Sequence, residues 1–111
     1  MTLQCAPVNV AGLVRDAAAT VRPLADAKGQ TLDVALLGRA RDAGLTVTGD
    51  RRRLEQVLLN ILHNAIKYTP PGGAIWLTAE PLETEVVIRV RDTGVGVAPD
   101  LLPRVFDLFV Q

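Results

Sequence analysis

The sequence has little of what ties a chain to an oxidising compartment, a polyanion or a lipid bilayer. Its single cysteine, Cys5, permits no internal disulfide and no cysteine metal cage, which fits a reducing, cytosolic setting. Charge of neither sign predominates: 12 Lys and Arg face 12 Asp and Glu, so no basic excess exists to release counterions from nucleic acid phosphates. No apolar run approaches the roughly 20 residues that span a membrane, and the N-terminus lacks the basic stretch and apolar core of a signal peptide. These absences predict a soluble, cytoplasmic segment with no nucleic acid and no membrane contact, and they leave room for a parent protein anchored through other segments. There is no internal repeat and no low-complexity tract. With 111 residues, 49% of them apolar, the chain has room for one globular domain over 1–111 and one core. The run Arg51, Arg52, Arg53 is the one local basic cluster, read as the solvated start of a helix.

What is present is a set of clear periodicities. Asn9 follows a short extended start and can cap a helix in which Val10, Leu13, Val14, Ala17, Ala18, Val21 and Ala25 recur at helical spacing. Gly29 is its expected stop, and Pro23 is expected to kink or weaken its second half. Leu32, Val34 and Leu36 then alternate over Thr31 to Leu37, and Leu45 with Val47 repeats the alternation, which predicts two strands joined as a hairpin with a long connection. Asp50 can cap a second helix whose buried stripe is Leu54, Val57, Leu58, Ile61, Leu62, Ala65 and Ile66. Pro70, Pro71, Gly72 and Gly73 end it by Thr69. Strands are expected over Ala74 to Ala79 and Glu85 to Arg91, joined through Pro81, with Val86, Ile88 and Val90 facing inward. A glycine turn over Asp92 to Gly96 follows, then a short helix after Pro99 through Leu101 and Leu102. This order predicts an α+β fold, a two-layer sandwich with helices on one face of a sheet and the other face partly exposed.

Two places in this pattern carry polar chemistry. On the second helix Asn60, Asn64 and Lys67 fall at spacings of four and three, on one face and away from the apolar stripe. Asparagine is a poor helix-interior residue, about half a kcal/mol or more worse than alanine, so two of them a turn apart ask for a reason. Plain solvation of an outer face is one reading. The other is that the amide oxygen is a hard neutral ligand suited to Mg²⁺, with Lys67 placing a point charge beside phosphates. His63 lies near the same face and reads as a rim residue. The second place is Asp92-Thr93-Gly94-Val95-Gly96: a carboxylate at a strand end can accept from an exocyclic amine such as that of adenine, and the glycines let the backbone approach a ligand. By itself this turn is weak, because an ordinary turn has the same composition.

Taken together, Gln56 to Gly73 (QVLLNILHNAIKYTPPGG), Asp92 to Gly96 (DTGVG) and Val105 to Gln111 (VFDLFVQ) resemble the N box, first glycine box and F box of bacterial two-component sensor histidine kinases, in that order and at the family's spacing. The approach to the N box, Gly49 to Leu54 (GDRRRL), is also similar, so the resemblance covers essentially the whole chain. It implies the Bergerat ATP-binding fold, a two-layer α/β sandwich on a mixed sheet, incomplete at the C-terminus because the family continues into a lid, a second glycine box and further sheet. A bare strand edge left by such an ending predicts marginal stability or self-association.

Position by position, the resemblance implies that Asn64 holds Mg²⁺ with Asn60 lining the same phosphate region. It implies too that Lys67 and Tyr68 contact nucleotide, and that Asp92 takes the adenine amine while Gly94 and Gly96 shape that pocket. Phe106 and Phe109 are expected at the base of the lid or in ordinary core. ATP-hydrolysing relatives place a glutamate general base one turn before the metal asparagine; here that position is Asn60, whose amide cannot take a proton. The implied activity is therefore protein-histidine kinase: ATP is held for transfer of its γ-phosphoryl group to a histidine on a separate domain of the same kinase, with a response regulator downstream. No residue of the segment itself is expected to be catalytic, and the isolated segment is expected to be inactive. A competing reading is a protein-interaction surface that no longer binds nucleotide. A gyrase-like hydrolase is disfavoured by Asn60 and by the Lys67-Tyr68-Thr69-Pro70 exit.

Overall fold

The computed structural model describes residues 5–41, 45–83, 85–93 and 104–110, the last of these as strand backbone. The first strand, β1 (Ala6–Asn9), runs directly into α1 (Val10–Ala27). Asn9 has the extended backbone of a helix cap, and its side-chain oxygen accepts a hydrogen bond from the Gly12 amide at 2.7 Å. The helix runs through Pro23 to Ala27. The chain then turns at Gly29, whose φ of 66° lies in the left-handed region that favours glycine. The second helix, α2 (Arg51–Tyr68), begins at Asp50, whose carboxylate accepts from the amides of Arg52 at 3.1 Å and Arg53 at 3.4 Å. Arg51 turns back to form an ion pair with Asp16 of α1 and lies 3.8 Å from Glu55. The basic run is thus partly a helix-to-helix tie, with Arg52 and Arg53 exposed.

Strands β2 (Thr31–Leu36), β3 (Thr46–Gly49), β4 (Ala74–Pro81), β5 (Val86–Asp92) and β6 (Arg104–Val110) complete the fold, with a short 3₁₀ turn at Gly38–Arg41. The expected hairpin of the Thr31 and Val47 strands is not formed. Instead β2 pairs in parallel with β4, Thr31 opposite Ala74, while β3 pairs antiparallel with β1, Val47 opposite Val8. The described strands therefore divide into a two-stranded sheet, β1-β3, and a four-stranded mixed sheet in the order β2-β4-β5-β6. The short extended start supplies β3 with the partner that β2 was expected to be.

The β4–β5 pairing runs longer than the local pattern indicated: Pro81 is the last residue of β4, opposite Val86, so the connection begins at Leu82. Val105 to Gln111 lies mostly in β6, antiparallel to β5 with Asp92 opposite Arg104 and Val86 opposite Val110. The helix expected after Pro99 falls outside the described residues.

The helices cover one face of the larger sheet, which gives the two-layer α+β sandwich. Leu13, Val14 and Val21 of α1, Leu58 and Leu62 of α2, Ile75 and Leu77 of β4, and Ile88 and Val90 of β5 meet in one buried cluster. Within the predicted α2 stripe Val57 is the exception, 42% exposed at the border of the packed face. On the opposite sheet face the Arg91 guanidinium stacks 4.7 Å from the Trp76 ring. At the outer edge of β2, Arg22 Nη1 donates to the Leu32 carbonyl at 3.1 Å, covering an edge acceptor that would otherwise face solvent.

Candidate functional site

The polar row of α2 lies where its spacing puts it. Asn60, Asn64 and Lys67 are exposed, and Leu58, Leu62, Ala65 and Ile66 on the other side of the helix are buried. His63 is exposed beside Asn64. In the last turn the Lys67 ammonium sits 5.2 Å from the centroid of the Tyr68 ring, so these two neighbours are gathered at the helix exit.

Asp92 is placed differently from a surface turn residue. It closes β5 opposite Ile75, and Pro81–Val86, Ala79–Ile88, Leu77–Val90 and Ile75–Asp92 form one inward row of cross-strand pairs. The aspartate thus occupies what the strand's period makes a core position, and it is fully buried. Buried carboxylates are uncommon because desolvation penalises their charge, so this placement marks Asp92 out. Gly94 and Gly96 fall outside the described residues.

The two regions meet through one short segment. Thr93, next to Asp92, donates its amide to the Ala74 carbonyl at 3.0 Å, and its hydroxyl oxygen accepts from the Ala74 amide at 3.2 Å. Just before Ala74, Gly73 is wedged between Thr69, the Pro70 carbonyl and the Thr93 hydroxyl; a Cβ there would fall 2.8 Å from Thr93 Oγ1 and 3.0 Å from Pro70 O, and closer still to the Thr69 methyl. The exit of α2 and the residue after β5 therefore both close on Gly73, where no side chain has room.

Sequence reasoning treated Gly73 only as a helix breaker and gave Thr93 no role; a glycine directly following another in a helix exit was the signal that one of them served a close approach. None of the candidate residues lines the groove of about 720 Å³ that runs along α1 and β2 past Arg15, Arg22 and Leu36.

A profile for "Histidine kinase-, DNA gyrase B-, and HSP90-like ATPase" matches residues 49–111, more than half of the chain. The chain belongs to this ATPase family. Among curated relatives it is 39% identical over 90 residues to "Histidine protein kinase DivJ" of Caulobacter vibrioides, covering 81% of this chain and 15% of that protein. Among solved structures it superposes on the catalytic domain of histidine kinase ThkA with a TM-score of 0.76 at 26% identity, covering 88% of this chain and 64% of that one. It superposes on full-length ShkA in complex with AMPPNP with a TM-score of 0.74 at 39% identity, covering 90% of this chain and 21% of that one. ThkA has also been solved in complex with a response regulator, TrrA. The chain thus spans a small part, 11–15%, of the length of its first curated relatives. No helix among the described residues is long and apolar enough to cross a membrane.

Proposed function

We propose that this segment is the ATP-binding part of a sensor histidine kinase, holding ATP with Mg²⁺ for phosphoryl transfer to a histidine on another domain of the same kinase and, through that kinase, to a response regulator. One observation carries the reading: a buried carboxylate, Asp92, is locked through Thr93 and Gly73 to the exit of the helix that displays Asn60, Asn64, Lys67 and Tyr68. An acceptor for the adenine amine on one side and phosphate- and metal-facing groups on the other are what a purine nucleotide with a charged tail requires. The AMPPNP bound to ShkA supports the same ligand class.

In this reading Asp92 accepts from the adenine amine, and Gly94 and Gly96 let the turn approach the base. Asn64 would hold Mg²⁺ through its amide oxygen, with Asn60 lining the same region; the exposed neutral amide is a hard oxygen donor of the kind such an ion takes. When bound there, the ion would supply neutralisation of phosphate charge. Lys67, with Tyr68 stacked beside it, adds a point charge near the phosphates. The acceptor imidazole nitrogen forms the new N–P bond while the bond from the γ-phosphorus to the bridging oxygen breaks, leaving ADP. Asn60 cannot deprotonate water, so the nucleotide is conserved for that transfer. His63, the one histidine of the chain, sits on α2 itself next to Asn64, so the acceptor comes from another segment.

Calorimetric titration with a non-hydrolysable ATP analogue, in Mg²⁺ and in EDTA, tests the proposal. Saturable binding is expected to tighten in Mg²⁺, and Asn64→Ala is expected to lose that gain while keeping the Mg²⁺-free affinity. A folded chain that binds no nucleotide sinks the reading, and steady phosphate release from ATP would point to a hydrolase instead.

A further inference from the structure

The last carbonyls of a helix have no partner within it and are usually satisfied by the residues that follow or by water. At the end of α2 the carbonyls of Ile66 and Lys67, with that of the capping Thr69, accept from side chains of a turn 36 to 39 residues earlier in the chain. Lys28 Nζ donates to the carbonyls of Ile66 at 2.7 Å and Lys67 at 3.4 Å. Gln30 Nε2 donates to those of Ile66 at 3.0 Å and Thr69 at 2.7 Å. The backbone of the same turn holds the next stretch: the Gly72 amide donates to the Lys28 carbonyl at 3.2 Å, and the Thr31 amide donates to the Gly73 carbonyl at 3.0 Å. Six hydrogen bonds thus run from residues 28–31 onto residues 66–73.

Gln30 is buried, and its Oε1 finds no hydrogen-bond partner among the described residues. Turning the amide over would bring that oxygen against two carbonyls, so the side chain is committed to donating. A buried polar side chain left half-satisfied is uncommon and calls for a reason.

From this arrangement we infer that Lys28 and Gln30 are positioning residues for the nucleotide site, clamping the exit of α2 so that Lys67 and Tyr68 on one side and Asp92 on the other keep a fixed separation. The inference rests on the nucleotide-binding reading above. The link to Asp92 is direct: Gly73, held by Thr31, packs on Thr93. The Thr93 amide and hydroxyl are both tied to Ala74, which precedes the Ile75–Asp92 pair. Lysine at this end also meets the negative pole of the helix dipole, so its charge and its hydrogen bonds act in the same direction. A cap that only stabilised α2 would not need to hold Gly72 and Gly73 as well.

The test separates positioning from mere stability. Lys28→Met and Gln30→Leu are compared with Asp50→Ala, which loosens the same helix at its opposite end, where no nucleotide contact is proposed. Each protein is titrated with AMPPNP and Mg²⁺ and melted, and its amide hydrogen exchange is followed without nucleotide. The clamp variants are expected to weaken AMPPNP binding by about tenfold or more, since small displacements of binding groups are expensive. They are also expected to lose exchange protection at Thr69, Gly73 and Thr93. Asp50→Ala is expected to melt lower with unchanged affinity, and Lys28→Arg, which can still donate to both carbonyls, is expected to recover binding. Wild-type affinity in Gln30→Leu and Lys28→Met, or an equal loss in Asp50→Ala, overturns the inference while leaving the nucleotide reading standing. A wild-type chain that binds no AMPPNP overturns that reading and the clamp's role with it.

Discussion

Replacing Asp92 by asparagine is expected to weaken nucleotide binding by about tenfold to a hundredfold, the usual worth of a hydrogen bond made by a charged group. The side chains have nearly the same shape, so the substitution tests chemistry rather than packing. It turns one acceptor oxygen into an NH₂ donor, which meets the exocyclic amine of adenine as donor against donor. Asp92 is fully buried, so an acceptor lost there is not readily replaced by bulk water. Because the near-identical shape keeps the packing, thermal stability is expected to change far less than affinity. Titration of the variant and the parent with the same analogue decides the matter. Equal affinities would show that Asp92 is a structural carboxylate and that the base is held elsewhere.

A second large effect is expected at Gly73, this time on the fold. Gly73→Ala adds a methyl group where Thr69, the Pro70 carbonyl and the Thr93 hydroxyl already stand within 3.0 Å of its position. None of these is the loose end of a long side chain, and Thr69 is itself buried. Overpacking of this kind costs about 1–3 kcal/mol, which for a domain of this size lowers the melting temperature by roughly 4–8 °C per kcal/mol. Gly72 offers the internal contrast. Its φ is 83° and nothing lies within 4 Å of a Cβ built there, so alanine is opposed by backbone conformation alone. Two adjacent glycines thus answer different demands, one conformational and one of space. A Gly73→Ala chain that melts with the parent would mean that α2 and β5 are not held in contact at this point.

The parts of this molecule that could be read from the sequence are those whose determinants are local. Asp50, the apolar stripe and the Pro70–Gly73 stop together delimit α2, and all three act within the helix or at its ends. The polar face of Asn60, Asn64 and Lys67 follows from the same periodicity. Partnership between distant strands has no such signature, which is why β2 and β3 looked like a hairpin when each in fact pairs elsewhere. Val57 obeys the helical period and is still partly exposed at the border of the packed face, because the width of the buried stripe is set by what packs against it. Lys28 and Gln30 were silent for the same reason as β2: their partners are close in space and far along the chain. Asp92 was legible as a strand-end carboxylate, and its burial follows once the inward row of β5 is counted one step past Val90.

That inward row bears on how such a chain can drift over generations. Side chains along β5 alternate between faces, so inserting or deleting a single residue between Val86 and Asp92 would leave Val86, Ile88 and Val90 unable to face inward together with Asp92. The apolar residues would keep their burial, being the larger share of the row, and the aspartate would be turned to the opposite face. Length changes in the connection after Pro81 carry no such penalty, since they fall outside the paired register and a longer loop adds little entropy cost. Lineages descended from this chain should therefore vary in the Leu82–Glu85 connection and keep the count from Val86 to Asp92 fixed, even where every apolar residue in between has been exchanged for another.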